Sequence, residues 1–402
     1  MLELGWRLVA RGEWVPYGMP MSAGGRSPGG LMALVVALPL AVWRDFRAPA
    51  FLTLVLHAGA FLLFVRTVRP ALSTAGLWLL LPLLWLNPWR MYFSAHAWNA
   101  NFMFVFAVLH LATAQRMRVR RRLGVTFLHV LLIGLAVQIH TSVVTLAIVS
   151  ALLYARGMLR VHWGGVALAV ALTLATLVPW ALVVQHEPGV APGSVGFFLR
   201  GLVFVAPVLR GFLYWVRLSS LSVPVRMVEF DFAPVWGSDA NLVLLPLALV
   251  LGGLAQLTIV PSLWANWRFI RQRWLHWRLR GWHRQPPERP RAWLRGYVAL
   301  ALVAALVSFA ISPVTIMFWQ EFVVLPAAVL VLVMPTEALL RTRHRARVRG
   351  AIAAWCVLLV PLLGFEAVAA RAYRCGGWEA GPRDAMAVDL GVPTGCRRRV
   401  PE

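Results

Sequence analysis

Residues 124–156 read GVTFLHVLLIGLAVQIHTSVVTLAIVSALLYAR, which is two apolar runs separated by the polar stretch Gln138-Ile139-His140-Thr141-Ser142. Each run has about 16 residues, whereas a bilayer core about 30 Å thick needs about 20 residues per crossing. The runs are therefore either one long kinked helix or two short helices that meet at His140. Polar side chains inside such a stretch are costly in lipid and indicate a functional position.

The composition places these runs in a membrane protein. Of 402 residues, 60% are hydrophobic and 13% are charged, whereas a soluble globular domain is roughly half apolar and a quarter charged. Mean hydropathy is +0.72. The 39 basic and 15 acidic residues give a formal net charge of +24, and all of the basic residues are arginine. This balance excludes a water-soluble enzyme.

Further apolar runs extend along most of the chain. They predict an all-α, polytopic integral membrane protein of about 10–12 transmembrane helices. The predicted segments are 29–43, 50–66, 71–87, 102–115, 124–139, 141–156, 164–184, 241–262, 297–316, 321–340 and 351–370. The first run has a short apolar core that contains Pro39, and it is expected to be re-entrant or miscounted.

Arginine clusters orient these segments, because short cytoplasmic loops hold the excess of positive charge. Clusters at 116–122, 263–296 and 341–349 are predicted to be cytoplasmic loops. The second run then returns to the cytoplasm near Arg156, which favours two short helices with His140 on the outer side. The same distribution argues against nucleic acid as a partner. It predicts a multi-pass protein of the bacterial inner membrane.

The layout predicts a transmembrane domain over residues 1–372 and a periplasmic tail over 373–402. An outer loop over 185–240 is expected to carry interfacial helices, because its apolar and aromatic residues are interspersed with arginine.

The three cysteines have no metal-binding spacing, so no protein-bound metal is predicted, while a divalent metal that assists catalysis stays open. Cys375 and Cys396 are expected to form a disulfide in the outer tail. Cys356, inside the last apolar run, is expected to be a buried free thiol.

Four polar clusters on the predicted outer side carry the candidate chemistry. Their substrate-binding candidates are His96, Asn99, Asn101, Gln138, Arg200, Arg210, Arg217, Trp319 and Gln320, and their catalytic candidates are His140, Glu229 and Asp231. The three arginines are able to hold the phosphate of a lipid-linked substrate or simply to anchor in lipid headgroups. Trp319 and Gln320 suit stacking and hydrogen bonding to a sugar, and the loop carboxylates suit a general base.

The chain resembles the C-type membrane glycosyltransferase superfamily, in particular bacterial enzymes similar to protein O-mannosyltransferases and to the aminoarabinose transferase of lipid A. The resemblance lies in the Gly-rich segment 18–30, in Ser94 and Asn99 at a helix end, and in the short helices with Gly134, Gln138 and His140. It implies transfer of a sugar from a polyprenyl-phosphate carrier to a lipid or protein acceptor of the cell envelope.

In that scheme an outer-loop carboxylate deprotonates the acceptor hydroxyl, and basic residues hold the departing phosphate. The resemblance assigns the phosphate to an arginine among Arg200, Arg210 and Arg217. The family carries its key acid in a first outer loop that follows a first transmembrane helix. Here Glu3 and Glu13 are the acids that precede Asp45. Either Glu3 replaces the family acid, or the true start lies upstream, or the protein is inactive; we expect an upstream start.

Other functions remain open. A flippase for lipid-linked saccharides would line a translocation path with buried polar residues, although the sequence shows no related halves. An O-antigen polymerase or ligase would share the outer arginine loop but consume polyprenyl diphosphate. A structural membrane subunit would leave the polar clusters without a role.

Overall fold

The computed structural model describes residues 1–21, 24–94, 98–190, 205–224, 239–280, 289–312, 317–373 and 386–390. In these ranges the chain is nearly all helical, with a two-stranded antiparallel sheet of β1 (Tyr17–Pro20) and β2 (Arg26–Pro28). The first helices are α1 (Leu2–Arg11), α2 (Leu31–Val42), α3 (Ala48–Val68), α4 (Thr74–Leu80, continued as a π-helix over Leu81–Trp85), α5 (Pro88–Ser94), α6 (Met103–Met117) and α7 (Leu123–Val137).

The later helices are α8 (Val144–Ala155), α9 (Trp163–His186), α10 (Val205–Ser219), α11 (Asp239–Gln256), α12 (Ile259–Arg280), α13 (Pro290–Ala310), α14 (Leu325–Leu339) and α15 (Arg345–Tyr373). Three 3₁₀ turns are used below and are named by their numbers: the 99–102 turn (Asn99–Phe102), the 141–143 turn (Thr141–Val143) and the 318–324 turn (Phe318–Val324).

The prediction of a helical chain is confirmed apart from the short sheet, whereas the count of about 10–12 transmembrane helices stays a prediction. All eleven predicted segments are helical over most of their length. Among the described residues, six helical runs are long and apolar enough to cross a membrane: Ala48–Val68, Trp163–His186, Asp239–Leu275, Pro290–Ala310, Phe318–Leu339 and Arg345–Phe365. The remaining apolar helices, including α2, α7 and α8, are shorter.

Helices α7 and α8 form a hairpin. Nε2 of His129 in α7 lies 3.0 Å from Oγ of Ser150 in α8, so the two helices run side by side in opposite directions. Beyond α8, the backbone N–H of Arg160 donates to the carbonyl of Met117 at 2.9 Å, which returns the chain to the arginine-rich end. The structure therefore has two short helices with His140 at the opposite end.

A buried carboxylate forms ion pairs at the arginine-rich end of the bundle. Glu337 of α14 is fully buried and pairs with Arg291 of α13 at 2.9 Å and with Arg341 at 2.8 Å. Its Oε1 also accepts the backbone N–H of Ser73, the cap of α4, at 3.0 Å. Three helices thus share one ion-pair cluster at this end.

The stretch 263–296, predicted to be a cytoplasmic loop, is helical as far as Arg280. Near the start of α12, Asn266 is buried and accepts the indole N–H of Trp215 at 2.8 Å. Near its end, the guanidinium of Arg156 lies 5.9 Å from the ring of Trp277, at the arginine-rich end. The loop prediction was wrong because long arginine stems pack along a helix surface while their charged heads reach water, so arginine alone does not end a helix.

Helix α10 packs beside α12, α13 and α14. Gly211 packs against Phe309 near the end of α13, and the side chain of Asn87 donates to the carbonyls of Leu218 and Ser220 at 3.4 and 3.2 Å. One face of α10 is buried and the other is exposed. The position of this helix at the membrane interface stays a prediction.

The core contains a chain of polar groups. His110 contacts the hydroxyl of Tyr297 through Nδ1 at 2.9 Å and Ser150 Oγ through Nε2 at 2.8 Å. Nδ1 of His129 lies 2.7 Å from Oγ1 of Thr113. All four ring nitrogens therefore have partners within the helices, which satisfies polar groups that would otherwise be costly to bury.

Candidate functional site

The turn between α7 and α8 gathers polar side chains at the end opposite the arginines. The amide nitrogen of Gln138 donates to Oγ1 of Thr176 in α9 at 2.7 Å. Nδ1 of His140 accepts the backbone N–H of Ser142 at 3.1 Å, and both Gln138 and His140 are buried. A nitrogen that accepts an N–H carries no proton, so the ring proton of neutral His140 lies on Nε2. His140 is thereby arranged as a hydrogen-bond donor.

This turn lies below the end of the neighbouring helix. Helix α9 runs parallel to α7, because its Gly165 packs near Leu123 and its Thr173 packs near Gly134. Gln138 meets α9 at Thr176, and α9 continues to His186. At 1.5 Å per residue, α9 extends about 15 Å past the turn. The polar turn is therefore recessed relative to the end of α9, and the space around the turn is called the recess below.

The N-terminal hairpin of β1 and β2 packs against the same recess. Gly29, which follows β2 with φ +79°, lies so close to Gln138 that a Cβ there would be 2.2 Å from Oε1. The Gly-rich segment, whose composition suits an outer surface, thus lies at the polar end. The following α2 has 12 residues, about 18 Å, and agrees with the expectation that this run is too short for a full crossing.

The 99–102 turn joins the recess from a second side. The side-chain amide of Asn99 donates to the carbonyl of Ile139 at 3.2 Å. Asn101 is buried, and its carbonyl lies 2.8 Å from Nε2 of His57 in α3. The structure therefore brings Asn99 and Asn101 together with Gln138 and His140, four candidates from two separate sequence clusters.

An aromatic wall lines the adjoining 318–324 turn. The rings of Trp98 and Trp319 lie 5.2 Å apart, and Phe93 lies 4.5 Å from Phe322. Oε1 of Gln320 accepts the backbone N–H of Met317 at 2.8 Å, so this oxygen caps the turn. Trp319, which was predicted to stack on a sugar, thus has Trp98 beside it. The amide nitrogen of Gln320 takes no part in this cap and is able to donate to a ligand.

Glu321, which was not among the candidates chosen from the sequence, is the most unusual group at this end. It is 1% exposed, and neither carboxyl oxygen has a hydrogen-bond partner among the described residues. Its turn packs against the 99–102 and 141–143 turns. Buried carboxyl groups are normally paired or hydrogen-bonded. The sequence signal was an acid at the start of an apolar helix in a chain with 15 acids.

Two arginines contribute positive charge near the recess. Arg90, also not chosen from the sequence, is 2% exposed, and its guanidinium lies 3.9 Å from the ring of Trp85. Arg217 is half-buried, 5.2 Å from the ring of Trp89. Arg210 is exposed on α10. Of the two described arginines proposed to hold phosphate, Arg217 is the one held against this end of the bundle.

The remaining candidates lie elsewhere or beyond the described residues. Glu3 is exposed on α1, which packs against α2, and no described hydrogen bond or ion pair connects it with the recess. The positions that fall outside the described residues are His96, Arg200, Glu229, Asp231, Cys375 and Cys396. Cys356 is a free thiol, as predicted, but is half-buried.

In the part of the chain that the structure describes, no group of three or more His, Cys, Asp or Glu side chains is placed to hold a metal ion. Comparisons with protein-family models, with curated proteins and with solved structures find no match to this chain. The function is therefore argued from the geometry of the recess.

Proposed function

We propose that this protein is a polytopic membrane glycosyltransferase that moves a sugar from a polyprenyl-phosphate carrier to a cell-envelope acceptor. The observation that carries the proposal is the buried, unpartnered carboxyl of Glu321 beside a recessed cluster of hydrogen-bond donors and a tryptophan pair. Such a group suits proton transfer from a hydroxyl, and aromatic rings suit the apolar face of a sugar.

The recess suits a substrate that stays in the bilayer. If α9 spans the membrane, the turn at His140 lies about 15 Å below the outer end of that helix. A carrier phosphate reaches this depth while its polyprenyl chain remains in lipid, whereas a water-soluble nucleotide sugar has no such anchor. This geometry supports a lipid-linked donor on the outer side of the bacterial inner membrane.

The proposed step is a displacement at the anomeric carbon. The ionised carboxylate of Glu321 takes the proton of the acceptor hydroxyl and becomes the neutral acid, while the acceptor oxygen forms a bond to that carbon. The bond from the carbon to the carrier phosphate breaks, and the phosphate leaves with the electron pair. Nε2–H of His140 and the guanidinium of Arg90 or Arg217 stabilise the charge on the leaving phosphate.

Transfer assays on purified protein in liposomes test the proposal. The donors are radiolabelled polyprenyl-monophosphate sugars and the acceptor pool is an envelope extract. Glu321→Gln is expected to lower transfer at least 100-fold, whereas Glu187→Gln, which removes an exposed acid after α9, leaves it unchanged. Equal transfer by wild type and Glu321→Gln would contradict the role of Glu321.

A transporter of lipid-linked saccharides is the second candidate. The sequence argued against it because polar residues gather at one face, but the structure adds the buried His110–His129 group inside the helices. Buried ionisable groups between helices occur in transport paths. Movement of the labelled lipid across the bilayer without sugar transfer would favour this function, and transfer only from a diphosphate carrier would favour a polymerase or ligase.

A further inference from the structure

A second site lies at the arginine-rich end, opposite the recess. A cavity of about 440 Å³ opens between the α6–α7 connection and the start of α9. Its lining includes Arg121, Arg160, Tyr154 and Trp163. Binding pockets for small molecules commonly span about 300–1,000 Å³, so the space accommodates a phosphorylated headgroup.

The charge in this cavity lacks an internal counterion. The described residues form four ion pairs, which involve Glu13, Asp45 and Glu337, and none of them includes Arg121 or Arg160. Both arginines are exposed. Guanidinium groups donate paired hydrogen bonds to phosphate oxygens. The cavity therefore suits an anionic group from outside the chain.

The backbone beside the cavity is held in place. Gly157 turns the chain after α8 with φ +66°, and the backbone N–H of Arg160 donates to the carbonyl of Met117 at 2.9 Å. The rings of Tyr154 and Trp163 meet edge to face with centroids 5.8 Å apart. Aromatic side chains of this kind concentrate at the depth of lipid headgroups.

An apolar track leads away from the same cavity. In the most apolar window of α9, 6% of the residues are buried, the lowest share among the six long helices. Val170, Leu174 and Val178 are spaced four residues apart on one face of this helix and are exposed at 43%, 59% and 52%. Since α9 begins at the cavity with Trp163, a ligand with its phosphate beside the arginines places its tails on this helix.

We propose that this cavity binds the phosphate headgroup of an anionic membrane phospholipid, whose acyl chains lie along α9. The proposal is independent of the glycosyltransferase function, because it uses no residue of the recess. Clustered arginines at the membrane surface attract anionic lipid, and the aromatic pair and the apolar track select a lipid over a free anion.

Lipid titration of delipidated protein in a zwitterionic detergent tests the site. The probes are short-chain phosphatidylglycerol, phosphatidylcholine of the same chain length and inorganic phosphate, and the readout is intrinsic tryptophan fluorescence checked by native mass spectrometry. We expect wild type to bind phosphatidylglycerol at least tenfold more tightly than either other probe. The double variant Arg121→Gln/Arg160→Gln should bind it at least tenfold more weakly, with an unchanged unfolding temperature in the absence of lipid.

The control variant Arg345→Gln/Arg347→Gln removes two exposed arginines that lie at the arginine-rich end of the bundle but outside the cavity. It should retain phosphatidylglycerol affinity within twofold. An equal loss in both double variants would show attraction to general surface charge and overturn the site. Equal affinity for phosphatidylcholine, or for inorganic phosphate, would overturn the anionic lipid as its occupant.

Discussion

The side-chain amide of Gln138 donates a 2.7 Å hydrogen bond to Oγ1 of Thr176, which ties the turn between α7 and α8 to the middle of α9. Gly29 of the N-terminal hairpin packs against the other side of the same glutamine. The recess is therefore assembled from three distant parts of the chain, and its shape depends on Gln138 staying in this position.

Gly29→Ala is expected to disturb the recess. A methyl group at this position meets Oε1 of Gln138, and φ +79° is unfavourable for any residue with a Cβ. We expect a loss of about 2–3 kcal/mol in unfolding free energy, measured by denaturation in detergent, together with lower transfer activity. Gly12→Ala is the matched control, because Gly12 has φ +66° with nothing within 4 Å. An equal loss in both variants would assign the effect to backbone strain alone.

Glu321→Gln is expected to raise thermal stability while it lowers transfer. The ionised carboxylate that the reaction requires is far more costly to bury without a described hydrogen-bond partner than a neutral amide of the same shape. We expect the unfolding temperature of the variant to increase by a few degrees. Glu187→Gln, at an exposed position, should leave it unchanged. A large decrease in Glu321→Gln would instead indicate a structural partner for the carboxylate.

Glu337→Ala is expected to loosen the arginine-rich end. It removes the shared partner of Arg291 and Arg341, whose side chains are 31% and 60% exposed, and the acceptor of the Ser73 N–H. Because the arginines are partly solvated, we expect a loss of about 2 kcal/mol and not the full cost of breaking a buried pair. Chemical denaturation measures it.

Glu13→Ala is the control for that loss, because it breaks an exposed pair with Arg7. Surface pairs contribute at most about 1 kcal/mol, and often nothing measurable. A loss in Glu13→Ala as large as in Glu337→Ala would contradict the anchoring role of Glu337.

Much of the fold was predictable from local sequence. Apolar runs predicted the helices because helix formation in lipid depends on length and hydrophobicity, and the arginines near 116–122 and Arg156 predicted the α7–α8 hairpin. The loop expected over 263–296 is largely helical, because α12 buries Asn266 and continues through its arginines. Charge counts do not report what a helix packs against.

The candidate site was predictable only in part. Asn99, Gln138 and His140 stood out because polar residues interrupt apolar runs, and the structure brings them together. Glu321 and Arg90 did not stand out, because each follows polar or aromatic neighbours that suggest a surface turn. Their burial arises from contacts between the 318–324 turn and distant turns, which no local pattern encodes.

The short α7–α8 hairpin has a consequence for the lipid around it. Its helices have 15 and 12 residues, about 22 and 18 Å, against a hydrocarbon thickness of about 30 Å. In the proposed bilayer setting, this mismatch thins the adjacent leaflet and draws headgroups and water toward His140. The acyl-chain length of the host membrane then sets the distance between the polar turn and the aqueous phase, so bilayer thickness itself becomes a regulator of access.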